Sequence, residues 1–229
     1  MHSCIRSLFF VVLACTSHTL FALEIRANNI SLDTCLYKPE IQKEHSTELQ
    51  AIVRAEQEER ENFEEKTEVE FEVLLQHDLE RRQRIGAIFA EGCLQSASDF
   101  AAAALVYQHG DIPDHYYQAF LWTKRAVELG DITQKHLMTL AIYHYLVYLG
   151  KKQLFGSQAF GEFKEMLCYC LEPVEKSFPD NLREEYTDLN LQARYDWITS
   201  SNEGRSCGEP KECDHNLKNS PIGTVPGCW

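Results

Sequence analysis

His109 is the side chain of this 229-residue sequence best suited to moving a proton, and its use depends on what reaches it. With a carboxylate such as Asp78 or Glu80 beside it, or an amide such as Gln153, it becomes a general acid or base. Alone, one residue before Gly110 at the end of an apolar run, it is a helix-end group. There a protonated imidazole sits at the negative end of the dipole and bonds the last carbonyls. Gln153 and Gln158, in the stretch GKKQLFGSQAFGEF (150–163), do not transfer protons at neutral pH. Each amide does pair a donor with an acceptor, which suits peptide carbonyls, sugars or other amides. With His109 and Arg60 or Arg81 they would form a recognition rim; otherwise they tie the turn to its neighbours.

Other chemistries find little support. His115, His136 and His144 are the remaining candidates for a metal cluster with His109. However, His136 and His144 stand eight apart on one expected helix, about 12 Å, too far to share an ion. There is no CxxC pair, and on a helix Cys168 and Cys170 would point roughly 200° apart. No metal and no cofactor is expected. The sequence lacks a G-x-S-x-G nucleophile turn, an H-E-x-x-H helix, a phosphate loop and a dinucleotide fingerprint. With 22 basic and 35 acidic residues, a net charge of −13, the chain repels nucleic acid, so none is expected as a partner.

The elements that must position these groups are helical. Residues 1–22 read as a secretory signal: Arg6, an apolar stretch from Leu8 to Ala14, and Phe21-Ala22 before the first acid. The expected location is therefore periplasmic or secreted; the alternative is a lipoprotein anchored at Cys15, after Val12-Leu13-Ala14. No later apolar run is long enough to span a membrane. Seven cysteines follow the signal (Cys35, Cys93, Cys168, Cys170, Cys207, Cys213, Cys228). An oxidising compartment should pair some of them and leave one over, with connectivity open. Asn29-Ile30-Ser31 is a formal glycosylation sequon.

Residues 23–199 are expected to form one helical domain and 200–229 an irregular, Cys-containing tail, ordered if bridged. Glu40 to Arg84 is charged and free of Gly and Pro, which predicts one long helix, or two with a break near Lys66-Thr67, burying only a thin stripe. Ser96 to Asp99 reads as a capping box. Gly110, Gly130 and Gly150 then recur every 20 residues as left-handed helix stops, with Asp111 and Asp131 as caps. Helices are expected over 114–129, 132–149, 160–171 and 182–198, the last capped by Asp180 or Asn181. Short connections make neighbours antiparallel, so the fold class is all-α: helix hairpins in a repeat-like array or irregular bundle.

Four segments together resemble a bacterial all-helical domain family of unknown function. They are Asp78 with Arg81-Arg82, ASDFAAAALVYQHG (97–110), RAVELGD (125–131) and GKKQLFGSQ (150–158). The likeness covers about residues 50–185. Glu56-Gln57 with Arg60 is similar to that family's D-Q-x-x-R element, and Gln108, His109 and Gly110 to its QHG tripeptide. Gln153, Phe155, Gly156 and Gln158 match its closing signature, with Ser157 for the usual Thr. Tyr143-His144 stands where members usually carry Asp-Arg. The resemblance implies binding roles for Gln108 and Phe155 but no activity. A looser likeness to Sel1-type and tetratricopeptide-type repeats, in 116–131, implies a binding scaffold. The expectation is an exported module of the cell envelope that binds a protein or peptide. The alternative is a hydrolase-like enzyme using His109 and a carboxylate near the Gln153/Gln158 turn.

Overall fold

The computed structural model describes residues 34–61, 66–163, 167–207 and 211–229. The expected signal, the Cys15 alternative and the sequon lie outside the described residues. Among the described residues no helix is long and apolar enough to cross a membrane.

The charged N-terminal region is two helices, α1 (Pro39–Arg60) and α2 (Glu68–Ala90). α2 starts where Thr67 and Glu70 exchange capping-box hydrogen bonds. Each helix buries a thin stripe, and the stripes are mixed. α1 buries Leu49 and, seven residues on, Glu56. α2 buries Leu74, Asp78, Arg82, Ile85 and Ile88. Helical spacing thus turns carboxylates and a guanidinium inward along the same faces that carry the apolar residues.

α3 (Ala97–Gln108) begins at the expected Ser96–Asp99 capping box. The Asp99 carboxylate also accepts from Ser46 Oγ at 2.6 Å and Gln42 Nε2 at 3.1 Å, tying the start of α1 to the start of α3. Burial would raise the Asp99 pKa, but the bonds from Ser46, Ser96 and Gln95 outweigh it and hold the group below its ordinary value. α4 (Pro113–Glu128), a 3-10 turn (Ile132–Gln134) and α5 (Lys135–Tyr148) follow. Ala119, Phe120, Met138, Ala141, Ile142 and Leu146 from α4 and α5 pack with Leu49, Ile85, Ile88 and the alanine run Ala102–Ala104 to form the core. Each large apolar side chain buried there contributes roughly 2 kcal/mol.

Two of the three rhythmic glycines end helices as expected. Gly130 (φ 105°) and Gly150 (φ 66°) occupy left-handed conformations, with Asp131 N–H donating to Ala126 O and Lys151 N–H to Leu146 O. Gly110 differs, because its φ is not positive and its need is space: a Cβ there would stand 2.3 Å from that of His115. Asp131 caps the 3-10 turn through Thr133 N–H. Asp111 caps nothing; Ile112 holds the N-cap position of α4, and Asp111 instead pairs with Arg82 and His115.

The all-α expectation needs correction in the C-terminal part. Residues 160–171, expected as a helix, lie in an antiparallel hairpin of β1 (Ala159–Phe163) and β2 (Leu167–Leu171), with Ala159 opposite Leu171 and Phe163 opposite Leu167. Alternate residues of a strand share a face, so Cys168 and Cys170 can both turn toward the tail, where they bridge Cys207 and Cys213. A helix would have separated the two thiols. The third bridge joins Cys35 to Cys93. Among the described residues this leaves Cys228 as a thiol; its burial pushes its pKa up to about 11 although Lys124 opposes this.

The last expected helix is also two, α6 (Asp180–Thr187) and α7 (Leu191–Ser201). Asp188 takes a left-handed φ of 58° between them, and Asn190 caps α7. Neither Asp180 nor Asn181 caps α6, which starts after Pro179; the Asp180 carboxylate accepts from Arg183 and Leu191 N–H instead. The tail is irregular but held: Lys218 exchanges backbone hydrogen bonds with Gly150 and Lys152, Val225 enters the core, and Trp229 packs edge-on against Phe178.

Candidate functional site

The inward carboxylates of α1 and α2 meet the end of α3. Glu56, with no exposed surface, lies against Arg60 one turn on and against His109, whose Nδ1 stands 2.5 Å from Glu56 Oε1. The ring nitrogen lies close to that oxygen without the alignment of a hydrogen bond. Gln57 Nε2 donates to the other oxygen. Burial alone would raise the Glu56 carboxyl; His109, Gln57 and the Arg60 charge overcome it and hold the pKa at about 2. Arg60 also reaches Asp78 (2.6 Å), and Arg81 joins Asp78 (3.4 Å) to Glu59 (2.5 Å). Arg82 donates to the His109 carbonyl at 2.9 Å, satisfying an orphan C=O at the end of α3.

Arg60, Asp78, Arg81 and His109 thus belong to one network, with Glu56 as the link between His109 and the others. Its fixed charges are largely spent on one another. Gln108, the last residue of α3, is different: it is 4% exposed and neither atom of its amide has a partner. A buried amide left unmatched costs about 1–3 kcal/mol.

Gln153 does not come to His109. Its Nε2 donates to the carbonyls of Gln158 (2.9 Å) and Glu172 (2.7 Å), and its Oε1 accepts from Gln158 N–H (3.1 Å). The amide therefore serves as a brace between the turn and the strand end. Phe155 is core, edge-on to Phe178 and Tyr186. Gln158 meets Gln153 through its backbone. Gly156 (φ 64°) lets the chain pass Arg194, whose Cγ would lie 3.4 Å from an added Cβ.

Between the two regions stand Tyr143 and His144, on α5. Burial lowers the His144 pKa and the nearby His109 charge adds to it. Burial and the Glu172 charge push Tyr143 up to about 12. Tyr116 stacks on His144 with ring centres 5.2 Å apart and donates to Gly110 O. Sequence reasoning did not single out Glu56 as a site residue in its own right. The available signal was its seven-residue spacing from Leu49, which puts it on the buried stripe.

Two clefts open at the start of α5. The first, of about 410 Å³, lies between α1, α3 and α5: Val53, Ala101, Ala102, Leu105 and Leu137 give it an apolar floor, and Gln50, Ser98, Thr133 and Gln134 a polar rim. The second, of about 470 Å³, is bounded by the 3-10 turn, the start of α5 and the junction of α6 and α7, with Lys135, His136, Tyr186, Asp188 and Arg194. They share Thr133 and His136. Neither is lined by His109, Asp78 or Gln153. By helical spacing, however, Gln108 follows Ala101 and Leu105 on one face of α3, so the free amide lies one turn beyond the floor of the first cleft.

A metal finds poor ligands. Among the described residues His45, Glu91 and Cys93 bring potential ligand atoms within 4.8 Å of one another, but the Cys93 sulfur is bonded to Cys35 and His45 is paired with Glu48 and Glu91. No thiolate remains to bind a soft ion. Compared with known protein families, curated proteins and solved structures, the chain gives no match.

Proposed function

We propose that this chain is an exported helical module that binds a peptide or an extended protein segment in the cleft between α1, α3 and α5. The observation that carries the reading is the unpartnered Gln108 amide beyond an apolar floor. Apolar side chains of a ligand would cover Ala101, Leu105 and Leu137. A peptide group would then supply the acceptor and donor that the Gln108 amide lacks, at a site where water competes poorly. The three disulfides support export, since such bonds persist in oxidising compartments.

Selection of a random peptide library on the purified protein tests this. Peptides with paired apolar residues should be enriched. Ala101→Glu should abolish their capture, and Gln108→Leu should weaken it about tenfold, the worth of one buried hydrogen-bonded pair. Failure to enrich any sequence, or capture that Ala101→Glu leaves intact, would sink the reading.

The Glu56–His109 pair favours a second reading, a hydrolase-like enzyme in which the carboxylate orients the imidazole as a base. On that reading a selected peptide would be cleaved by the wild type and only held by His109→Ala.

A further inference from the structure

We propose that the second cleft is a carboxylate seat, with Arg194 as its main contact. Arg194 rises from the first turn of α7, its stem packed over Gly156 beside Leu191. Its Nε is buried without a hydrogen-bond partner, and among the described residues no carboxylate pairs with it. That is unusual in a chain with 35 acids and 22 bases. Every other guanidinium taken out of water in the helical core has a carboxylate: Arg60 with Glu56 and Asp78, Arg81 with Glu59, Arg82 with Asp111, Arg183 with Asp180. Burial pulls the Arg194 pKa below its ordinary value, and among the described residues nothing offsets the cost of holding this charge.

The facing wall supplies a second cation. Lys135 is held by the Glu185 carbonyl (2.7 Å) and by the face of the Tyr186 ring. His136 and the hydroxyl-bearing Thr133 and Thr187 complete that side, and Asp188 adds one carboxylate. Two permanent cations against one anion leave room for a single negative charge. The guanidinium fork can grip the oxygens of a carboxylate or a phosphate alike, and it is the single spare positive charge that favours a carboxylate over a phosphate dianion. The cleft shares Thr133 and His136 with the apolar groove, so its natural source is a carboxylate of the bound peptide, at its C-terminus or on a side chain. That last identification rests on the peptide reading; the seat itself does not.

The test uses the arginine Nε–Hε signals in NMR spectra of the whole protein, titrated at constant ionic strength with acetate and with inorganic phosphate. The Arg194 signal, identified by its absence in Arg194→Lys, should shift saturably with acetate, and phosphate should bind no more tightly. Arg194→Gln should weaken acetate binding about tenfold, and Lys135→Gln by about threefold. A thermal melt confirms that each variant is folded, and the wild-type titration stands even if one is not. No saturable shift, tighter binding of phosphate, or equal acetate affinity in folded Arg194→Gln overturns the seat. If acetate binds through Arg194 but the library yields no peptide, the seat holds and the peptide reading falls. If peptides are selected, free-acid and C-terminally amidated forms are compared. An acid-to-amide loss that Arg194→Gln removes supports the seat as their anchor.

Discussion

Residues 34–150 and residues 151–229 are held together by different physics. The first part is helices whose apolar faces meet, with ionic groups gathered on the same stripes. The second has a small apolar cluster of Leu171, Val174 and Ile198. It relies on two disulfides and on polar side chains that satisfy backbone groups. Arg183 shows the second mode: 2% exposed, it donates to Leu154 O (2.9 Å) and Glu175 O (2.7 Å) and pairs with Asp180. Gln153 does the same with three backbone groups, and Glu175 accepts from Ser177 and Ser220. This part lends Leu154, Phe155, Phe178 and Val225 to the main core, and holds the rest by covalent links and directed hydrogen bonds.

The contrast can be broken from either side. Replacing Cys170 and Cys213 by Ser together should have the largest effect, about 4 kcal/mol for opening a loop of 43 residues. The loss should appear as early hydrogen exchange in 151–229 while the amides of α3 to α5 keep their protection. Equal loss in both parts would show that they unfold as one unit. Arg183→Met should cost about 3 kcal/mol, because three acceptors lose a buried donor; urea denaturation of the variant measures it. The third test concerns the helical part. Glu56 has a folded pKa of about 2 against an ordinary value of 4.5. It therefore contributes stability that is fully present above about pH 4.5 and lost as the pH falls toward 2. That shift corresponds to about 3 kcal/mol, and the acid limb of a stability-versus-pH curve should flatten correspondingly in Glu56→Gln.

The same contrast governs what could be read from the sequence. The helix start at Ser96 and the stops at Gly130 and Gly150 are decided by residues within one turn of the boundary, so they were legible, whereas the break near Thr67 was legible only as one of two alternatives. The hairpin of β1 and β2 was not. Phe160, Phe163, Leu167 and Leu171 also fit a helical spacing, and the decision lies with Cys207 and Cys213, some 40 residues away. The break at Asp188 was missed because its positive φ falls on a residue other than glycine and the Asn190 cap sits within an otherwise helical spacing. In the candidate site, His109, Arg60 and Asp78 were legible as reactive types. That Glu56 joins them depends on the packing of α1 against the end of α3. Gln153 looked like a recognition group because an amide bound to its own backbone and one reaching for a ligand are identical in sequence.

The placing of Cys168 and Cys170 two apart on one strand, opposite Cys207 and Cys213, has a consequence for oxidative maturation. Four such thiols can pair in three ways, and the crossed pairing joins sulfurs that start as near neighbours. A chain that pairs these thiols in either of the other two ways must reshuffle to reach the arrangement seen, a step that takes seconds to hours. Shuffling must then stop. Cys228, the thiol that remains, would attack finished bridges if it ionised, but with a pKa near 11 it stays protonated at neutral pH. The packed tail half-buries that thiol, so the arrangement that carries the bridges also quiets a nucleophile that could undo them.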